Sequence, residues 1–545
     1  MNAFPSLRHR GRRAVRAAAL VLPLFALAAP AAAQLGLTGS QLWSADSPGL
    51  STGAEAGAWL GHAAAAGDFD GDGYDDLALS MPRGTVGGDG VAGEVLVLYG
   101  ADGGLAAAGH QVWNQDSAGI ADSAEPNDFF GWALAAGDFD ADGFDDLVVG
   151  VPFEDLGGFE SAGMIHVLPG SAAGLTALGS IGLDQETAGV AGNSEPDDHF
   201  GAALAVGDFD DDGFDDLAVG APGETQEGVP TYVDLGALHV FFGGVGGLST
   251  AGSRFYRPGD GIVNVVAPAN SLAFAAALAA GPVIANGQDQ IVIGVPRLDV
   301  DGAAAAGALV VLNNPAPGGT ILGIYSQATP GVAGVPEDGD NFGSALAVGR
   351  FDGGVTAGIA VGVPGEDLAG DVGVGAVHVL MDVFHQDFSS TLWLQDSLPP
   401  SASEPNDRFG AELAVGDFDA DGSDDLVIGS PGETVGSVAD WGIGFVLFGS
   451  PAGITADGRQ GLPLGTSIVF SDRQFGYAAA AGRFSGHSGD DLAITAPRDD
   501  LIEFLGAQTG ADTTDAGAAL VYASVVLFVD GFESGDTGEW SATAQ

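Results

Sequence analysis

The stretch Gly67–Pro82, "GDFDGDGYDDLALSMP", places five aspartates in nine positions. Nearly the same phrase returns as "GDFDADGFDDLVVGVP" from Gly137, "GDFDDDGFDDLAVGAP" from Gly207 and "GDFDADGSDDLVIGSP" from Gly416. The shared pattern is D-x-D-x-D-G-x-x-D. Closely spaced donors that are all oxygen suit a hard cation of flexible geometry, calcium before magnesium. An EF-hand starts in a similar way but needs a glutamate at loop position 12. That position holds Leu79, Val149, Val219 and Ile428, so the EF-hand reading fails. A plain polar turn would explain one Asp-Gly, but not four ordered carboxylates written four times.

The acids sit in frames that repeat. "FG", an Ala-rich apolar segment and the loop recur at Phe130-Gly131, Phe200-Gly201, Phe342-Gly343, Phe409-Gly410 and Phe475-Gly476, with Leu60-Gly61 and Phe274-Ala275 as variants. Loop starts at Asp68, Asp138, Asp208, Pro282, Arg350, Asp417 and Arg483 are spaced by 70, 70, 74, 68, 67 and 66 residues. Each frame reads as four short strands separated by Gly, Pro, Asp and Ser, with no sustained helical period. The expected fold is all-β: a seven-bladed β-propeller of four-stranded antiparallel blades, whose closure into a ring protects the sheet edges. The seventh frame has no aromatic fourth strand, whereas "SQLWSADS" at Ser40–Ser47 matches "HQVWNQDS" and stands alone. The N-terminal strand is therefore expected to complete the last blade and close the ring.

Composition limits the function. Residues 1–33 begin with Arg8, Arg10, Arg12, Arg13 and Arg16, continue through an apolar run at Ala17–Ala29 and end in a small-residue site at Ala33. That order predicts a signal peptide, with a propeller over 34–525 and a C-terminal tail over 526–545. The product is expected to be secreted, periplasmic or associated with the cell surface. Sec and Tat export are not distinguished. After the leader, ten basic residues, none of them lysine, face 73 acids. Such a chain has no basic patch for nucleic acid or an anionic membrane, and no later apolar run predicts membrane insertion. It has no cysteine, which excludes disulfides and thiolate sites. The hydrophobic fraction of 46% separates it from acidic disordered chains.

"FG", the acidic loop and "VGxP", in that order, resemble the FG-GAP repeat of the integrin α-subunit head and, more closely, bacterial secreted proteins with the same repeat. The resemblance implies a calcium-binding propeller with four occupied loops. The ligand sets it implies are Asp68, Asp70, Asp72, Asp76 and the Tyr74 carbonyl; Asp138, Asp140, Asp142, Asp146 and the Phe144 carbonyl; Asp208, Asp210, Asp212, Asp216 and the Phe214 carbonyl; and Asp417, Asp419, Asp421, Asp425 and the Ser423 carbonyl. Asp75, Asp145, Asp215 and Asp424 are expected to lie outside these sets. The loops at Pro282, Arg350 and Arg483 cannot assemble four carboxylates. There the two arginines are expected to place a positive charge where the ion would sit.

The resemblance also places ligands on the face opposite the calcium hairpins. Loops such as "SAEPNDFFG" and "FEDLGGFESAG" would lie there, with Phe153, Tyr232 and Trp441 expected as exposed aromatics. The expected role is a monomeric binding or adhesion module for an extracellular protein or glycan, with structural calcium and no catalysis. Alternatives are a purely structural surface protein or a polysaccharide-acting enzyme. His166, His239 and His378 share one strand position and are expected to be packing residues.

Overall fold

The computed structural model describes residues 34–53, 55–88, 90–225, 234–259, 271–313, 319–384, 388–398, 402–434, 439–455, 459–462, 474–498 and 516–525. The expected signal peptide and C-terminal tail lie outside them. Seven four-stranded antiparallel sheets follow one another. Blades 1 to 6 span residues 64–113, 133–183, 203–256, 278–325, 345–393 and 412–462. Blade 7 joins Ala479–Gly482, Asp491–Ala496 and Ala518–Val525 to the N-terminal strand Gln34–Trp43. That strand runs antiparallel to the last one, with Leu42 opposite Leu520 and Trp43 opposite Ala519. The expected closure is therefore present. The only helix among the described residues is a short 3-10 turn at Gln395–Ser397, and no helix there is long and apolar enough to cross a membrane.

The repeating sequence explains the radial packing. Each innermost strand is built almost entirely of Ala, Leu, Val and Gly, such as "ALAVG" at Ala203–Gly207. These slender strands touch their neighbours all the way round, including Ala479–Gly482 against Ala64–Gly67. The second strands are buried at every position in blades 1 to 7, for instance Asp146–Val151, because they lie between two neighbouring blades. Phe130, Phe200, Phe274, Phe342, Phe409 and Phe475 are fully buried between blades, each contributing about 1.5–3 kcal/mol of transfer free energy. The "VG" glycine gives the next blade room. A Cβ on Gly150 would stand 2.2 Å from the Gly201 carbonyl oxygen, closer than any side chain can approach.

The blades are also locked by a repeated polar contact. The amide of the first loop residue in one blade donates to an aspartate carboxylate in the next: Asp68 to Asp145 at 2.9 Å, Asp138 to Asp215 at 3.0 Å, Arg350 to Asp424 at 2.6 Å and Asp417 to Asp490 at 2.9 Å. Asp289 binds the Asp208 backbone in the same way. In return, each aspartate's amide donates to the carbonyl of that first residue. Arg483 donates to Asp75 at 2.7 Å and closes the ring across 408 residues of sequence. Blade 4 is informative because its first loop residue is Pro282, which has no amide hydrogen. Its neighbour correspondingly carries Ala357, and only the return bond, Ala357 amide to Pro282 carbonyl at 2.8 Å, remains. These aspartates are half-buried clamps between blades, a role the sequence reading did not assign to them.

Asp75→Ala removes the acceptor at the closing seam and is expected to cost about 1–3 kcal/mol, while Asp75→Asn, which keeps a carbonyl oxygen, recovers most of it. Urea unfolding in saturating calcium measures both. Equal losses would show that the contact acts through charge.

Candidate functional site

The acidic loops join the first and second strands of blades 1, 2, 3 and 6. Their carboxylates are arranged by the loops' own amides before any ion arrives. Asp68 accepts from the amides of Asp72 (3.1 Å) and Gly73 (2.9 Å), Asp70 from that of Asp72 (3.2 Å), and Asp72 from that of Tyr74 (2.9 Å). The same bonds recur around Asp138, Asp140 and Asp142, around Asp208 and Asp212, and around Asp417, Asp419 and Asp421. Gly73, Gly143, Gly213 and Gly422 all hold φ between 87° and 92°, in the left-handed region that favours glycine.

One carboxylate oxygen each from Asp68, Asp70 and Asp76 lies within 4.8 Å of the others, as do those of Asp138, Asp140 and Asp142, and of Asp208, Asp210 and Asp216. Asp76, Asp146, Asp216 and Asp425 are buried. Each also ties the hairpin to the start of the next connection, as when Asp76 accepts from the amides of Phe69 (2.9 Å) and Gly100 (2.8 Å). Burial, reinforced by nearby aspartates, raises Asp76 and Asp425 to about 8 and Asp146 and Asp216 to about 7. Clustered carboxylates in this state call for a cation, and an all-oxygen donor set fits calcium.

The remaining loops are built differently. In blade 4, Asn286, Gln288, Gln290 and Asn313 replace the acids with a network of neutral amides, such as Asn286 Nδ2 to Asn313 Oδ1 at 3.0 Å. In blade 7, Ser485 Oγ and His487 Nδ1 lie 2.6 Å apart. Arg350 and Arg483 act through their backbone amides, and both residues are exposed. The charge of Arg350 favours the ionised form of Asp289 in the blade before it.

Antiparallel alternation puts the loops after the second and fourth strands on the other face. Phe153 is half-buried there, with its ring centroid 5.0 Å from those of Phe129, Trp132 and His199. Trp441, expected to be exposed, is buried against Phe418 and Phe475, because the Gly442–Phe475 bridge between blades draws it into the core. Tyr232 lies outside the described residues. The sequence reading missed a wider aromatic group. His62 lies 4.5 Å from Trp132 and 5.3 Å from Tyr477, and Arg83 and Arg498 sit over Trp59 at 4.5 and 5.1 Å. These residues flank or precede the innermost strands of blades 7, 1 and 2, at the mouth of the central channel. Trp59, His62, Trp132 and Tyr477 shared a signal of position, one residue before or two after the first residue of the "FG" pair, while Arg83 and Arg498 each follow the proline after a second strand. Along the channel, the innermost strands carry a single titratable side chain, Glu412.

His166, His239 and His378 are buried against Phe130, Phe200 and Phe342. The register puts Leu96, Val310, Phe445 and Leu520 at the same place in the other blades, so this is a packing position.

A sequence model described as the FG-GAP repeat matches residues 60–98, 130–168, 200–241 and 409–441, the four blades with acidic hairpins. The chain is a propeller with FG-GAP repeats in four of its seven blades. Blades 4, 5 and 7 keep the frame and lie outside those residues. Bovine phosphatidylinositol-glycan-specific phospholipase D is 41% identical over 113 residues, which cover 21% of this chain and 13% of that protein. Drosophila melanogaster integrin alpha-PS2 is 29% identical over 190 residues, 34% of this chain and 12% of its own length. The chain thus spans about an eighth of the curated relatives it matches. An exotype rhamnogalacturonan lyase, YesX, overlays 89% of this FG-GAP propeller and 76% of its own chain at 13% identity and a TM-score of 0.41, too loosely to bear on function.

Burial lowers His239 to about 3 and His62, His166 and His378 to about 4. The unfolded chain takes up these protons from about pH 6.5 downward while the folded chain refuses them, so acidification destabilises the fold. His239→Leu is expected to gain about 2 kcal/mol relative to the parent between pH 7 and pH 5, read by urea unfolding with calcium saturating. Parallel pH profiles would contradict this.

Proposed function

We propose that this FG-GAP propeller is an exported binding or adhesion module for an extracellular protein or glycan, hardened by calcium in four hairpins. The ions would be held by the carboxylates at Asp68, Asp138, Asp208 and Asp417 and their partners two, four and eight positions on. Calcium there supplies positive charge that lets buried, closely spaced aspartates stay ionised. It does so beside the clamps that join the blades, so it sets the rigidity of the ring. At about 100 times its dissociation constant, each ion would add about 2.7 kcal/mol.

The observation that carries the binding reading is the aromatic group at the channel mouth. Trp59, His62, Phe129, Trp132, Phe153 and Tyr477 form a chain of ring contacts, and all but His62 keep part of their surface open to solvent. Flat apolar faces beside hydrogen-bonding loops suit sugar rings or protein side chains. Every blade holds the residue before its "FG" position at positive φ, from Ala273 at 52° to Trp59 at 62°. That backbone belongs to the fold, and only its side chains vary to make a surface.

Full-length protein on a glycan and matrix-protein array is expected to show selective binding that chelator abolishes and Trp132→Ala lowers at least tenfold. Binding unaffected by Trp132→Ala would move the site away from the channel mouth. Release of reducing ends from a polysaccharide on the same array would replace the adhesion reading with an enzymatic one.

Separately, Asp210→Asn is expected to lower bound calcium by one ion per chain, and Arg350→Asp to add none. Calorimetric titration counts both.

A further inference from the structure

The face opposite the hairpins carries a second set of carboxylates. In blade 2, Glu125 and Asp128 of the incoming "EPND" loop meet Glu154 from the loop after the second strand, with one oxygen of each within 4.8 Å of the others. Blade 3 repeats this with Glu195, Asp198 and Glu224. Asp128, Glu154, Asp198 and Glu224 are each no more than 2% exposed. A glutamine from the preceding blade points into each cluster: Gln115 Nε2 donates to Glu154 Oε2, and Gln185 Nε2 to Glu224 Oε2, both at 2.6 Å. Blade 5 has Gln327 donating to Glu366 at 2.6 Å, and blade 6 has Gln395 donating to Glu433.

Polar atoms that these side chains bring into the clusters have no hydrogen-bond partner in the protein. They include Oδ1 of Asp198 and of Asp407, residues with no exposed surface, and Oε1 of Gln115, Gln185 and Gln327, residues 1%, 3% and 4% exposed. A buried oxygen without a partner is costly, and so is gathering carboxylates away from water. Within each cluster, such oxygens call for a donor or a cation.

Turn formation does not account for the set. Asp128 does accept the Glu125 amide, as the equivalent residues do in blades 3, 5 and 6, and that shapes the loop. A turn needs neither the glutamate from another loop nor the glutamine from another blade, yet the four residues keep company. Blade 1 has Ala45, Ala58 and Gly84 at the glutamine, aspartate and second-glutamate positions, although its acidic hairpin is complete. Blade 5 keeps all four residues, Gln327, Glu337, Asp340 and Glu366, although its hairpin reads Arg350, Asp352 and Gly354. The two sets of acids segregate independently, as two separate sites would.

We propose that the clusters in blades 2, 3, 5 and 6 are a second class of hard divalent cation site, of the calcium type, distinct from the hairpins. Each ion would bind the loop entering a blade to the loop leaving its second strand, with the glutamine fixing the glutamate from the blade before. Ions would then stand on both faces of the disc, and those on this face would set the geometry of the loops around the channel mouth.

Blade 5 gives the clean test, because its hairpin offers no competing set of carboxylates. Equilibrium dialysis of the full chain against radioactive calcium is expected to show one ion fewer per chain for Glu366→Gln, and two fewer for Glu366→Gln combined with the hairpin substitution Asp70→Asn. An unchanged count for Glu366→Gln overturns the proposal. Crystals of the unsubstituted protein soaked in calcium supply a check that needs no variant. An anomalous peak roughly 2.3–2.6 Å from oxygens of Glu154, Glu224, Glu366 and Glu433 is expected. Water at those places, or carboxyls paired through a shared proton with no peak, would also overturn it.

Discussion

The ring depends on a two-bond contact between consecutive blades: an aspartate carboxylate takes the amide of the neighbour's first loop residue, and its own amide returns a bond to that residue's carbonyl. Burial of phenylalanines between blades supplies most of the attraction, but apolar contact is non-directional and would tolerate sliding. The clamp fixes the angle between one blade and the next at the place where the hairpins begin. Six seams carry both bonds, and the seam at Pro282 carries one. Because the clamping aspartate directly precedes the last aspartate of each acidic loop, the ion cage and the seam share one turn of backbone. Rigidity supplied by an ion passes straight into the contact that spaces the blades.

Much of the architecture was legible because each requirement is written several times. A buried phenylalanine, a glycine under a neighbour's carbonyl and a run of small residues on the inner strand recur in every blade or nearly so, and repetition separates need from accident. The closing strand could be read from one tryptophan-bearing segment without a frame of its own. The acidic loops were legible for a related reason: their chemistry is local, with all the carboxylates within nine residues.

What escaped the sequence reading was contact between segments far apart in the chain. Asp75, Asp145, Asp215 and Asp424 looked peripheral because their partners lie in the adjacent blade. The available signal was Asp289 and Asp490, which persist in loops that have lost the acids at the first, third and fifth positions. Trp441 looked exposed because it follows a polar loop, yet a bridge to the next blade pulls it inward. The "EPND" loops were read as turns, which they are. Only the fold brings Glu154 and Gln115 beside Asp128. Arg350 and Arg483 carry a role that alignment did not suggest: their backbone amides hold two of the seams.

The N-terminal strand has a consequence for the order of assembly. Of the described strands, Gln34–Trp43 is made first, and it pairs with Ala518–Val525, which is made last. Until the final strand has been synthesised, the first has no partner of its own. The intervening blades can stack as they emerge, but the growing arc keeps one open end throughout. The longest loop in the fold must close last, and it closes between two segments that have waited through all the rest. Ring closure is thus a timing device as well as a joint. It withholds the finished disc until the propeller's last strand is present, so a chain cut short anywhere before Ala518 would keep an unpaired edge.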